Sequence, residues 1–317
     1  MPSKLEPGGS SAGAPKTGSK LVSGRARHGE KVIQGLLAAA AFVSVLTTIA
    51  IVISLLKETI SFLSKVPLKD FLFGTEWAPL FADPSFGVLP LVAGTLLTTF
   101  LAVLVAIPLG LGAAIYLSEY ASPKVRKTLK PILELLAGIP TVVFGYFALT
   151  FVTPVILKEL FGLDVQGFNA LSAGLIMGFM VVPTIASLAE DAMSSVPASL
   201  REGAYGLGAN RMQVATRVVF PAALSGIVAG IVLGISRAVG ETMIVLVAAG
   251  AIPTLTANPL EPVQTMTAFI AQTAKGDAAV GSVAYQTLFA VGMLLFISTL
   301  IMNMISIRFV RKFRQAY

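Results

Sequence analysis

Two charged residues stand where an apolar run makes charge expensive: Arg237 and Glu241, inside the stretch from 218 to 250. An unpaired charge at bilayer depth costs about 2.5–3.5 kcal/mol on insertion scales, so such residues face away from lipid and usually mark function. A guanidinium offers a planar fork of donors to a tetrahedral oxyanion, and a nearby carboxylate can hold the arginine in place. On a continuous helix, Gly226, Gly230, Gly234, Arg237 and Glu241 fall within an arc of about 80°. The three glycines form two overlapping GxxxG steps, which let membrane helices approach closely. The pair is therefore expected on a protein-packed face or a cavity. It could be a salt bridge locking two helices, or part of an anion pathway. Arg before Glu at i,i+4 is the weaker order for a local bridge, which favours the pathway.

The rest of the chain removes most competing chemistries. His28 is the only histidine and there is no cysteine, so catalytic or metal sites built on imidazole or thiolate are not expected. Neither an HExxH stretch nor a nucleophile paired with a base is present, which argues against an intramembrane hydrolase. The chain also lacks GxxxxGK[ST], so any ATP and Mg would be bound by a partner, with no cofactor on this chain.

The elements that must position the pair are membrane helices. The 317 residues are 55% hydrophobic and only 12% charged, too little charge for a soluble domain. Six apolar runs, at 32–56, 88–118, 132–157, 170–189, 218–250 and 284–307, each approach or exceed the ~20 residues that span hydrocarbon. An all-α, polytopic bundle of six transmembrane helices follows. The formal charge of +7 does not point to nucleic acid, because the basic residues fall in alternate segments between the runs. Lys124, Arg126, Lys127 and Lys130 form one cluster; Arg201, Arg211 and Arg217 another; Arg308, Arg311, Lys312 and Arg314 a third. The intervening segments are poor in Lys and Arg, which places both termini and 190–217 in the cytoplasm. A resulting division is a disordered cytoplasmic tail at 1–30, a first helix with an extracytoplasmic loop at 31–87, a core at 88–307, and a basic tail at 308–317. The outer segments 57–87 and 251–283 read either as interfacial loops anchored by Trp77 or as a surface for an outside partner. No internal repeat is visible, which weighs against an ion-coupled secondary carrier.

A second polar stretch lies at 197–211. Pro197 suits the first turn of a short helix, with Ser194 or Ser195 as its cap. Gly206 and Gly208 would end it, and Asn210 would cap the next. Glycine costs about 1 kcal/mol in an exposed helix relative to alanine, so Gly203 makes sense where another protein's backbone comes close. A plain connecting helix is the alternative.

Glu202-Gly203-Ala204, then Gly208, then Val218 and Phe220-Pro221 resemble the EAA loop of ABC importer permeases, with Gly in place of the first Ala, Val in place of Ile, Phe in place of Leu and all spacings kept. Glu134-Leu-Leu-Ala-Gly-Ile-Pro-Thr141 and Arg237-Ala-Val-Gly-Glu-Thr-Met243 sharpen this to a resemblance to phosphate-specific transport (Pst) permeases, nearest the C-subunit branch. The resemblance runs from about residue 32 to 314 and implies a type I ABC importer permease fold, a five-helix core plus an N-terminal helix. It implies a heterodimer with a paralogous permease, a dimeric ATP-binding subunit, and a phosphate-binding protein outside. Arg201, Glu202, Gly203, Ala204 and Gly208 would then couple to the ATPase. Arg237 and Glu241 would serve phosphate passage, with Glu134 and Thr141 as candidate extensions of the path. Glu241 could accept a hydrogen bond from protonated phosphate and repel fully ionised sulfate. From the residues alone, sulfate and molybdate remain open as cargo.

Overall fold

The computed structural model describes residues 28–313; the expected tails at 1–30 and 308–317 lie outside the described residues except for 28–30 and 308–313, which are helical. The chain divides at Ile51. In its described part, the first unit is the N-terminal portion of α1 (His28–Leu63), an apolar stretch whose residues 30–51 are all exposed. The second unit, from Val52, holds everything else.

After α1 comes α2 (Leu68–Phe73) and a two-residue antiparallel pairing of β1 (Trp77–Ala78) with β2 (Ser85–Phe86). Trp77 is not an interfacial anchor. It is 4% exposed and packs edge-on against Phe269, its ring centroid 4.9 Å away. Phe71 tilts against Trp77, and Phe62 meets both Phe71 and Phe86. Such edge contacts add to simple area burial.

α3 (Leu89–Ile115) continues as a wide π-type turn through Tyr116–Tyr120. α4 (Pro123–Ala137) follows, capped by the Ser122 side chain and with none of its residues buried. α5 (Thr141–Phe147) extends as π-type helix to Leu160. The third apolar run is thus two elements, because Gly138 to Pro140 interrupt it; the candidate span is Thr141–Leu160, and Glu134 belongs to the separate α4.

α6 (Ala170–Ser194) is the central helix. Asn169 caps it through Ser172 N (2.7 Å). The amides of Ala170 and Leu171 donate to the carbonyls of Glu261 and Pro259, which satisfies donors that a helix start leaves orphaned. The segment making those contacts folds inward: residues 262–269 are all buried, so this part of the outer stretch is core and not an interfacial loop.

α7 (Ala198–Gly206) leads to α8 (Arg211–Val214), a π-type stretch Ala215–Val219, and α9 (Phe220–Ala222). α10 (Leu224–Val239) turns off at 75° at Ala223, two residues past Pro221. The fifth apolar run is therefore a bent pair, broken again at Gly240 before a short helical stretch that ends in Val245–Ala249. α11 (Met266–Gln272), capped by Thr265, precedes α12 (Val283–Phe313). Among the described residues, five helices are long and apolar enough to span a membrane, or six if the bent pair is one span.

Candidate functional site

The glycines of α10 lie on α6. Gly226, Gly230 and Gly234 face Ala192, Leu188 and Ile185, and a methyl on Gly234 would come within 2.8 Å of Ile185 Cγ1. This ladder is an intrachain packing seam, and it carries the last turn of α10 against α6. Arg237 sits in that turn, where a cation is favoured by the helix dipole. Its Nη1 donates to Thr184 Oγ1 of α6 at 2.9 Å.

Glu241 is not on the same helical arc. α10 stops at Val239 with Gly240 as its C-cap, so the helix on which the shared face was reckoned ends before Glu241. The carboxylate instead caps the next segment: Met243 N and Ile244 N donate to Glu241 Oε1 at 2.8 and 3.2 Å. Its own carbonyl accepts from Thr267 Oγ1 of α11 at 2.6 Å. Glu241 is 9% exposed. Among the described residues no ion pair joins Arg237 to Glu241, and the arginine is held by a neutral hydroxyl.

Thr141 and Glu134 are placed apart. Thr141 starts α5 after Pro140. One turn on, Gly145 packs so closely that an added methyl would meet Met243 O and Ile244 Cα at 3.1 Å. Thr141 is thus a turn from the segment that Glu241 caps. Glu134 is exposed and borders a groove of about 560 Å³ with Ser118, Arg126, Lys127 and Lys130. No described hydrogen bond links either residue to Arg237 or Glu241.

The polar segment divides into an exposed face and a buried tie. Glu202, Gly203, Tyr205 and Gly206 are exposed, Leu207 is 91% exposed, and nothing would touch a methyl on Gly203. Gly208 adopts φ +84°, where a side chain is strained. Its amide donates to Tyr205 O and that of Ala209 to Ala204 O, a Schellman ending that fixes the following turn. Asn210 and Gln213 then form a reciprocal capping box. The expected serine caps of α7 are absent: Pro197 itself is the N-cap, Ser195 Oγ donates back to Ala192 O, and Ser194 Oγ to Glu190.

Arg201 turns inward. Its Nη2 and Nε donate to Glu119 Oε1 (3.1 and 3.3 Å), Nη1 to Val196 O (2.6 Å), and Nη2 also to Met193 O (2.8 Å). It caps the last carbonyls of α6 while tying α7 to the end of α3. Ala204 packs on the cluster of Ala189, Met193 and Val214.

A further group escapes sequence reasoning. Glu190 of α6 has no exposed side-chain surface and is ion-paired with Arg126 and with Lys130 Nζ (2.8 Å), both on α4. Ser194 Oγ donates to Glu190 Oε1 and accepts from Arg126, each at 2.8 Å. Lys130 also reaches Asp191 (2.6 Å). Hydrogen bonds to Asp191 first, then Glu190, raise the Lys130 ammonium above its ordinary value, against the opposing effect of burial. The available signal was an acidic pair closing an apolar run, opposite a basic cluster; read as orientation charge, it concealed the clamp.

Residues 106–315 match the family described as "Binding-protein-dependent transport system inner membrane component". The probable ABC transporter permease protein YqgH of Bacillus subtilis (strain 168) is 36% identical over 282 residues, covering 88% of this chain and 90% of that protein. The phosphate transport system permease protein PstC of Mesorhizobium japonicum is 34% identical, covering 73% and 74%. PstC 1 of Mycobacterium tuberculosis is 38% identical, covering 72% and 73%. Among solved structures, a bacterial ABC transporter for alginate import aligns with a TM-score of 0.61 at 20% identity, covering 90% of this chain and 99% of that one. The MetNI methionine ABC transporter aligns at 0.53 and 21% identity, covering 72% and 95%. The bent fifth span, the exposed α7 and the inward Arg201 are thus features of a chain that belongs to the binding-protein-dependent inner membrane component family and is a permease subunit of an ABC importer with the type I fold.

Proposed function

We propose that this permease carries inorganic phosphate into the cytoplasm. In this reading it pairs with a paralogous permease, takes cargo from an extracytoplasmic phosphate-binding protein, and couples through 197–211 to a dimeric ATP-binding subunit. Both termini lie in the cytoplasm, on the side of the Lys- and Arg-rich segments. The observation that carries the proposal is Arg237: a part-buried guanidinium on a packed helix face whose described partner is an uncharged hydroxyl. Its positive charge therefore stays available to an oxyanion. The phosphate transport permeases among the relatives favour phosphate as that oxyanion. Glu241 would add selectivity, since its Oε2 makes no hydrogen bond to a described residue and could accept one from protonated phosphate.

Uptake into vesicles holding the complete transporter tests this. Arg237→Gln is expected to lower phosphate uptake about ten- to a hundredfold, matching the ~1.5–3 kcal/mol of a charge-assisted hydrogen bond. Wild-type rates in that variant would remove Arg237 from the path. Faster wild-type transport of sulfate or molybdate than of phosphate would change the cargo. Uptake that persists with the ATPase inactivated and ion gradients intact would make the protein a secondary carrier. Glu241→Gln is expected to admit relatively more sulfate; an unchanged ratio of sulfate to phosphate uptake would end its role as filter.

A further inference from the structure

We propose that Thr184 is the positioning residue for Arg237, holding the guanidinium in place without cancelling its charge; this rests on the phosphate pathway proposed above. The face of α6 that meets α10 is formed by Val181, Thr184, Ile185, Leu188 and Ala192. Gly226, Gly230 and Gly234 close against the four apolar members, and Thr184 is the polar one. Arg237 is three residues beyond Gly234, so the seam that seats the glycine also delivers the arginine to that hydroxyl.

Several helical threonines of this chain satisfy their hydroxyls on their own helix. Thr95, Thr98, Thr150 and Thr299 each donate to the carbonyl four residues back. The described hydrogen bond of Thr184 is the one accepted from Arg237 across the seam.

The neutral partner also distinguishes Arg237 from the cations of the two clamps described above. Arg126, Lys130 and Arg201 all reach carboxylates. Two opposite charges in contact cancel much of the field that would draw a third charge, whereas a hydroxyl fixes geometry and leaves the cation its full charge. One donor of Arg237 is spent on Thr184, and the remaining donors of the fork stay free for a tetrahedral anion.

The test is phosphate uptake per ATP hydrolysed, in vesicles holding the complete transporter with phosphate-loaded binding protein. Thr184→Val keeps the shape and removes the acceptor; it is expected to lower the ratio about five- to tenfold, the scale of one lost hydrogen bond. Thr184→Ser is expected to restore the ratio to within about twofold of wild type. In an Arg237→Gln background, Thr184→Val is expected to add nothing, since there is no guanidinium left to hold. A wild-type ratio in Thr184→Val, or an equal loss in the Arg237→Gln background, would overturn the assignment. If Thr184→Val does not assemble, Thr184→Ala read against Thr184→Ser decides by the same ratio. A silent Arg237→Gln would overturn the phosphate pathway itself, and with it this role; an impaired Arg237→Gln beside a silent Thr184→Val would overturn Thr184 alone.

Discussion

Arg126→Gln combined with Lys130→Gln is expected to destabilise the folded chain by about 3–5 kcal/mol, the cost of leaving a buried charge without its partner. Glu190→Gln is expected to cost much less. The asymmetry follows from exposure: the Glu190 side chain has none, while those of Arg126 and Lys130 are 39% and 29% exposed. Removing the carboxylate lets both cations rehydrate where they stand. Removing the cations strands a carboxylate with only Ser194 as a donor. Thermal unfolding in detergent compares the two variants, and equal losses would show that Glu190 is not desolvated as the structure has it. The pH dependence has a definite direction. Because the folded Lys130 value lies above the ordinary 10.5, its contribution is fully present below that value and fades only as pH rises past the folded one. From this lysine, then, stability is expected to be flat through neutral pH and to fall in strong alkali.

That clamp also shows where sequence reasoning reached and where it stopped. Five of the six apolar runs yield a spanning helix, all but the third close to the expected position and the third starting only at Thr141, because hydropathy over some twenty residues is a strong local signal. The Asn210 cap and the Gly208 stop follow from side-chain chemistry with a local partner, and they too were legible. The breaks were not. The 75° bend after Pro221 and the end of α10 at Gly240 sit inside a run that hydropathy treats as continuous, since Pro and Gly are tolerated in membrane helices. Glu241 consequently left the arc assigned to it. Partners distant in sequence were also hidden: Thr184 is 53 residues from Arg237 and Arg126 is 64 from Glu190. Charge counting takes a basic cluster as a signal for the membrane face and gives no hint of which cation reaches which acid. Trp77 failed for a related reason. Composition placed it in a loop, and the docking of Phe71 from α2 and Phe269 from α11 buries it.

Glu119→Ala is expected to separate ATP hydrolysis from transport while leaving the exposed face of α7 intact. No residue of α7 is buried, so the helix has little apolar area to hold it in register and relies on Ala204 and on the contacts of Arg201. Glu119, with only 5% of its side chain exposed, receives two of those donors on one oxygen. Hydrogen bonds to a charged group contribute about 1.5–3 kcal/mol, so their loss raises the detached population of α7 by about ten- to a hundredfold. Amide exchange in α7 reads this directly and does not depend on any partner; unchanged protection would mean that Arg201 and the chain ends suffice. In the complete transporter, the same slack would let the ATP-binding subunit move α7 without moving α3 and α6, and uptake per ATP is expected to fall about tenfold or more. Glu202→Ala provides the contrast, because Glu202 is exposed and takes no part in the described hydrogen bonds of the tie. Its removal would weaken docking of the ATP-binding subunit while α7 keeps its protection. If the two variants behaved alike in both measurements, the division of α7 into an outer docking face and an inner mechanical tie would fail.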